Sequence, residues 1–189
     1  MLYLASISPR RKQILRELGL RFRAVKPSYR EGHLSGLTPA QIVKRHAMGK
    51  ALAAAKSVKS GVILAADTIV YFKKRVMGKP KNHEDAVRTL SFIQGHWHAV
   101  YTGVALLKVE KGRIAREKVF YETTRVCLKK MDKKDIGVYF KKINPLDKAG
   151  AYAIQSKNQN IIAEVKGSFS NAVGLPQEIL MKQLKAFEG

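Results

Sequence analysis

The apolar positions of this chain come in short runs whose period switches between two and about 3.6, and glycine, proline and polar clusters separate them. Leu2 to Ala5 forms a short buried strand. Ser8-Pro9 then opens a helix, with serine at the N-cap and proline at the first helical position. Ile14, Leu15 and Leu18 give its apolar face and Gly19 its stop. Arg21 to Lys26 alternates as a strand, and residues 27 to 37 form a loop. Thr38-Pro39 opens a second helix to about Lys56, with Gln41 placed for a capping box.

Val62 to Ala66 is a buried strand ending at Asp67-Thr68, and Ile69 to Phe72 continues extended. A helix covers about His83 to Phe92. Two long strands follow, His98 to Lys108 and Ile114 to Leu128, with Lys111-Gly112 near their turn. Asp132 caps a helix to Lys142. Pro145 to Gln155 is a loop with strand character, Ile161 to Val165 a strand, and Pro176 to Phe187 a last helix. This order predicts an α/β sheet with helices on its faces, in a single domain over residues 1–189. No apolar stretch is long enough to span a bilayer. The N-terminal residues lack the basic region of a secretory signal.

Composition narrows the chemistry. The one cysteine, Cys127, excludes an intramolecular disulfide framework and fits a reducing compartment. It sits between Val126 and Leu128 as a packed thiol. No Cys/His cluster has zinc spacing. Lys and Arg outnumber Asp and Glu by 36 to 14, a net charge of +22. Such charge suits a lysine-rich solvated surface or attraction to polyanions, whether nucleic acid or small phosphate esters. The basic residues are scattered, and aromatics are not interleaved with them as a stacking platform requires. Nucleic acid is therefore not the expected main partner. Carboxylates are scarce, so each one at an element end is a candidate for metal or proton chemistry.

Four segments could carry chemistry. Leu4-Ala-Ser-Ile-Ser-Pro-Arg-Arg11 runs from a strand into a helix with two arginines in its first turn. Ser6, Arg10, Arg11 and the free N–H groups there could cradle a phosphate. Asp67, placed after a buried strand, could bind a metal or accept a proton from water, or simply cap a turn. In Met77-Gly-Lys-Pro80 the fixed loop would point Lys79 at an anion or leave it solvated. In Asp147 to Gln155 small residues allow close approach, and the Gln155 amide could read a base edge. His98, in an alternating strand, is expected to be a structural hydrogen-bonder.

Together, and in this order, these segments resemble the Maf family of nucleoside triphosphate pyrophosphatases. The likeness runs from Leu4 to about Leu184. It includes Leu4–Arg11, Lys50-Ala51, Ala66-Asp67-Thr68, Gly78-Lys79-Pro80, His98 with Thr102-Gly103-Val104, Asp147–Gln155 and Val173-Gly-Leu-Pro176. The resemblance implies an α/β fold of the inosine triphosphate pyrophosphatase type, with a long mixed β-sheet flanked by helices and a central cleft. It implies hydrolysis between the α- and β-phosphates with a divalent metal cation, Mg or Mn, in a cytoplasmic homodimer. Arg10, Thr68 and Gln155 look like the subgroup acting on dTTP and UTP. Asp67 matches the family's catalytic carboxylate. Ser6, Arg11, Glu31, Lys50 and Lys79 match positions lining the phosphate and metal site, with Asp67 and Glu31 toward the metal.

The chain also departs from that pattern. Asn144-Pro145 stands where the family usually has Glu-Pro, Ser156-Lys157-Asn158 replaces a glycine-rich turn, and Gly167-Ser168-Phe169 replaces Gly-Asp-Tyr. These changes leave Asp67 intact and bear on substrate preference. The sequence leaves three other readings open: a nucleotide-binding regulator with weak catalysis, a pyrophosphatase for another or modified nucleotide, and a nucleic-acid-binding module.

Overall fold

The computed structural model describes residues 1–32, 34–154 and 161–188. The helices start where capping chemistry directs them. Ser8 is the N-cap of α1 (Pro9–Glu17), although its side chain makes no cap bond. At α2 (Pro39–Ala55) the capping box is complete, with the Thr38 hydroxyl accepting from Gln41 N–H and the Gln41 side chain accepting from Thr38 N–H. Two free N–H groups of the first turn are satisfied this way. Asn82 caps α3 (His83–Ile93), and Asp132 with Asp135 closes a second capping box on α4 (Lys133–Phe140). Two further helices, α5 (Phe169–Val173) and α6 (Gln177–Glu188), end the chain.

Among the described residues the strands form one mixed sheet of seven, ordered β2-β1-β3-β5-β6-β7, with β4 on β3. Strands β1 (Leu2–Leu4) and β2 (Phe22–Ala24) are parallel, as are β1 and β3 (Gly61–Phe72). Strand β4 (Arg75–Met77) runs antiparallel to β3, and β7 (Ile162–Lys166) to β6 (Arg113–Leu128), while β5 (Trp97–Glu110) lies between β3 and β6. The chain divides into two compact units, residues 1–67, 102–122 and 174–189, and residues 68–101 and 123–173.

In the first unit, Ala47, Ala51 and Ala54 of α2 cluster with Ala5, Ile63, Ala65, Ala105, Leu107 and Val109. The opposite-facing positions Leu64, Ala66, Val104 and Leu106 are as deeply buried, so the sheet is covered on both sides. Ile14 and Leu15 of α1 and Leu180, Leu184 and Phe187 of α6 are buried too. Arg116 ties α6 to β6 by donating to the Phe187 and Ala186 carbonyls at 2.9 and 3.2 Å. Lys111 and Gly112, both at positive φ (49° and 76°), make the two-residue turn from β5 to β6.

In the second unit, α3 and α4 bury Leu90, Ile93, Ile136 and Tyr139 in a cluster with Val70, Phe72, Val100, Val126 and Leu128. Within it His98 Nε2 lies 2.7 Å from the Tyr152 hydroxyl, as expected for a structural hydrogen-bonder. The short helix α5 escapes the sequence pattern, and its Asn171 amide donates to Val100 O and Thr124 Oγ1 at 3.2 and 2.9 Å.

His98 has a consequence for acid stability. Burial pushes its pKa from 6.5 down to about 4, against a weaker opposing interaction with the His96 backbone. Below pH 6.5 the unfolded chain takes up a proton that the folded chain refuses until about pH 4. The contribution is therefore complete above pH 6.5, is lost as pH falls toward 4, and is flat below. Urea unfolding should show that His98→Gln removes about 2 kcal/mol of the stability lost by the parent between pH 7 and pH 5. An unchanged acid limb would mean that His98 titrates normally.

Two sequence expectations change. The strand expected at Val62 to Ala66 continues unbroken through Asp67 and Thr68 to Phe72, because β-branched and aromatic residues follow and β4 pairs with them. Pro145 to Ala151 forms two single 3-10 turns with no strand. Asn144 accepts from Leu146 N–H at 3.0 Å to cap the first, and Gly150 at φ 71° breaks the second.

Candidate active site

The first unit collects six of the expected site residues. Ser6 is buried just after β1, and its N–H is closed onto Leu4 O at 2.9 Å. Its hydroxyl accepts from Ser8 N–H at 3.2 Å and from Arg11 Nη1 at 3.3 Å. Arg11 is fixed a second time, by Nε donating to Gly174 O at 2.9 Å. A helix start bearing Arg10 and Arg11 concentrates positive charge where the helix dipole is already positive. Burial holds the Arg11 pKa below its usual value. The negative charge of Asp67 opposes this most, and Glu31 also opposes it, while Arg10 adds to the lowering. Arg11 thus sits in the field of both carboxylates.

Lys50 is the hub. Its ammonium lies 2.6 Å from Asp67 Oδ1 and 2.6 Å from Glu31 Oε1, so those two oxygens are no more than twice that distance apart. The side chains of Lys50 and Asp67 are 13% and 7% exposed, whereas Glu31 is 55% exposed. Helix α2 supplies the lysine, strand β3 the aspartate and the loop before α2 the glutamate. A buried carboxylate inside a strand is unfavourable unless paired, and Lys50 supplies the pair. Asp67 therefore sits within a strand, where the sequence placed it at a strand end.

The second unit holds the remaining candidates. Thr68 follows Asp67 in β3 and is partly buried. Lys79 is exposed just beyond β4. Gly78 O accepts from Gly150 N–H at 3.1 Å, which joins the Gly78-Lys79-Pro80 motif to the Asp147–Ala151 turns. A Cβ at Gly150 would come within 2.8 Å of Val70 Cγ2, so only glycine allows this approach. Gln155 and Ser156-Lys157-Asn158 lie outside the described residues. The other departures have local roles: Asn144 caps a turn, and Ser168 Oγ accepts from Asn171 N–H at 3.2 Å at the start of α5.

Sequence reasoning missed Tyr29 and His46. The Tyr29 hydroxyl lies 2.9 Å from His46 Nδ1, beside the Glu31–Lys50 pair. The available signal was Gly49, an isolated glycine inside a helical pattern, which usually has a packing or functional reason.

A family described as Maf-like protein matches residues 1–187. The chain is 42% identical over 188 residues to a dTTP/UTP pyrophosphatase of Gloeobacter violaceus, covering 99% of this chain and 96% of that one. It is 40% identical over 184 residues to a dTTP/UTP pyrophosphatase of Pelotomaculum thermopropionicum, covering 97% and 95%. Among solved structures, the Staphylococcus aureus Ham1 protein aligns over 96% of this chain and 98% of that one, at 17% identity and a TM-score of 0.47.

Proposed function

This chain belongs to the Maf-like protein family, and from that premise we propose that it hydrolyses nucleoside triphosphates, dTTP and UTP foremost, to a nucleoside monophosphate and pyrophosphate. The carrying observation is the convergence of Asp67 and Glu31 on Lys50, beside the Ser6–Arg11 helix start. Two carboxylates and several cations gathered at one point suit water activation next to a polyanionic substrate.

The donor set fits a divalent cation. Magnesium and manganese take oxygen ligands and are commonly held by one or two carboxylates, with substrate phosphates completing the shell. Asp67 and Glu31 would hold such an ion. No group of three or more His, Cys, Asp or Glu among the described residues could do so alone, which leaves a share to phosphate oxygens. When bound, the ion would neutralise phosphate charge and stabilise the transition state.

The chain's own residues do the rest. Asp67 accepts the proton of the attacking water, which adds to the α-phosphorus as the bond to the bridging oxygen breaks. Arg10, Arg11, Lys50 and Lys79 bind the triphosphate and balance the charge building on the departing pyrophosphate. Ser6 holds Arg11 in place. Arg10, Thr68 and Gln155 select the base. A cytoplasmic homodimer is the arrangement that the family resemblance leads us to propose; no helix among the described residues is long and apolar enough to cross a membrane.

Pyrophosphate release from dTTP, UTP, CTP, purine and modified triphosphates, with magnesium or manganese and then with chelator, tests the reading. Turnover led by dTTP and UTP and abolished by chelator is expected. Turnover led by another base would keep the chemistry and overturn the specificity. Nucleotide binding without turnover would favour a binding regulator.

A further inference from the structure

Glu31 lies between β2 and α2, where no described residue is in a helix or strand, and its side chain is more than half exposed. A solvated carboxylate on such a stretch samples many positions unless the backbone beneath it is held. Two residues earlier, Tyr29 is seated on α2. Its hydroxyl lies 2.9 Å from Nδ1 of His46, which is 6% exposed, and the two rings meet edge to face at 5.9 Å. Gly49 makes the seat. A Cβ there would lie 2.2 Å from Cε2 and 2.6 Å from Cζ of the Tyr29 ring.

Gly49 is interior to α2 and is not among the glycines at positive φ, so conformational freedom does not explain it. A helix-interior glycine costs about 1 kcal/mol relative to alanine; here the missing side chain leaves the space that the ring occupies. His46, Gly49 and Lys50 share one stripe of α2, at spacings of three and four residues. One helical turn rises about 5.4 Å, and two residues of chain reach at most about 7 Å. Seating Tyr29 against His46 and Gly49 therefore tethers the Glu31 backbone within about 7 Å of the seated residue, on the stripe of α2 that carries Lys50.

We propose that Tyr29, seated over Gly49 and bonded to His46, is a positioning residue that holds Glu31 beside Asp67 for the divalent cation. The proposal rests on the reading of Glu31 as a metal-site carboxylate. The Tyr29 hydroxyl both donates and accepts, so it can bond His46 Nδ1 in either ring tautomer. Truncating the ring, or filling its seat, frees the Glu31 backbone without touching the carboxylate.

The test is manganese affinity, read as free-ion electron paramagnetic resonance in the presence of a non-hydrolysable α,β-methylene analogue of dTTP. Groups that orient metal ligands are worth about 10–100-fold in metal affinity. Glu31→Gln is the reference and should weaken manganese binding by at least about tenfold. Gly49→Ala and Tyr29→Leu should each approach that loss, with Tyr29→Phe intermediate. Adding Gly49→Ala to Glu31→Gln should weaken binding no further. If Gly49→Ala fails to fold, the two Tyr29 variants answer the same question. Wild-type affinity in the Tyr29 variants, with Glu31→Gln impaired, would reduce the seat to packing while the reading of Glu31 survives. Losses that add between Gly49→Ala and Glu31→Gln would also overturn the proposal. Wild-type affinity in Glu31→Gln would overturn the reading of Glu31 and the positioning role with it.

Discussion

Asp67→Asn is expected to keep nucleotide binding and to lose turnover by about 10²–10⁴-fold, the range ascribed to a positioned general base. Asparagine has the same shape but neither the charge nor the proton affinity of the carboxylate. Arg10, Arg11 and Lys79 are untouched, and with the divalent cation left out of the binding assay, removing a negative charge beside the triphosphate favours its binding. The variant should fold. Breaking a buried ion pair costs about 3–5 kcal/mol when it strands the partner charge, but Lys50 keeps Glu31 at 2.6 Å. Steady-state kinetics beside the Kd of a non-hydrolysable dTTP analogue would measure the split. Turnover near the wild-type rate would remove Asp67 from the chemistry. Matching losses of binding and turnover would instead make it a substrate-binding group.

Much of this arrangement can be read along the chain, but not how its parts converge. The caps at Thr38 and Asp132 follow from side-chain chemistry within a few residues, and the structure forms both. The turn between β3 and β4 does not. Lys73 and Lys74 occupy positive φ (45° and 61°), where asparagine and glycine are the usual residues, so no turn signal marks the hairpin. Missing that hairpin also ended the strand early and put Asp67 at its edge. Pairing to β4 instead carries β3 on to Phe72, a tertiary effect that local propensity cannot register. The meeting of Glu31, Lys50 and Asp67 is non-local as well. Those residues are 19 and 17 positions apart and lie on a loop, a helix and a strand. Family resemblance proposed each singly, and the fold brings their charged atoms together. Tyr29 and His46 had no such guide, since an aromatic in a loop and a histidine on a helix are unremarkable until Gly49 shows the space between them.

The gap between α2 and β5 predicts the largest effect on stability. A Cβ at Gly103 would lie 2.4 Å from the carbonyl carbon and oxygen of Val43 and 2.7 Å from Lys44 N, all backbone atoms of α2. Gly103 is not at positive φ, so alanine could adopt its conformation; the obstacle is space alone. Overpacking a core costs about 1–3 kcal/mol and occasionally more, with the low end reached where side chains can rotate away. Helix backbone cannot, and the side chains packed between α2 and the sheet (Ala47 and Ala51 of α2, Ala105 of β5) are alanines, which have no rotamer to change. Gly103→Ala should therefore lower the urea unfolding free energy by about 3 kcal/mol or more. It should also reach the site, because α2 carries Lys50 and β3 carries Asp67. A misplacement of about 1 Å can cost about 10²-fold in rate, so the folded fraction should turn over more slowly as well. Gly137→Ala is the control of opposite sign. Gly137 is exposed in α4 with nothing near its missing Cβ, and alanine there should stabilise by up to about 1 kcal/mol. Wild-type stability in Gly103→Ala would mean that α2 can lift from the sheet freely. The close Lys50–Asp67 contact would then owe nothing to how α2 is seated.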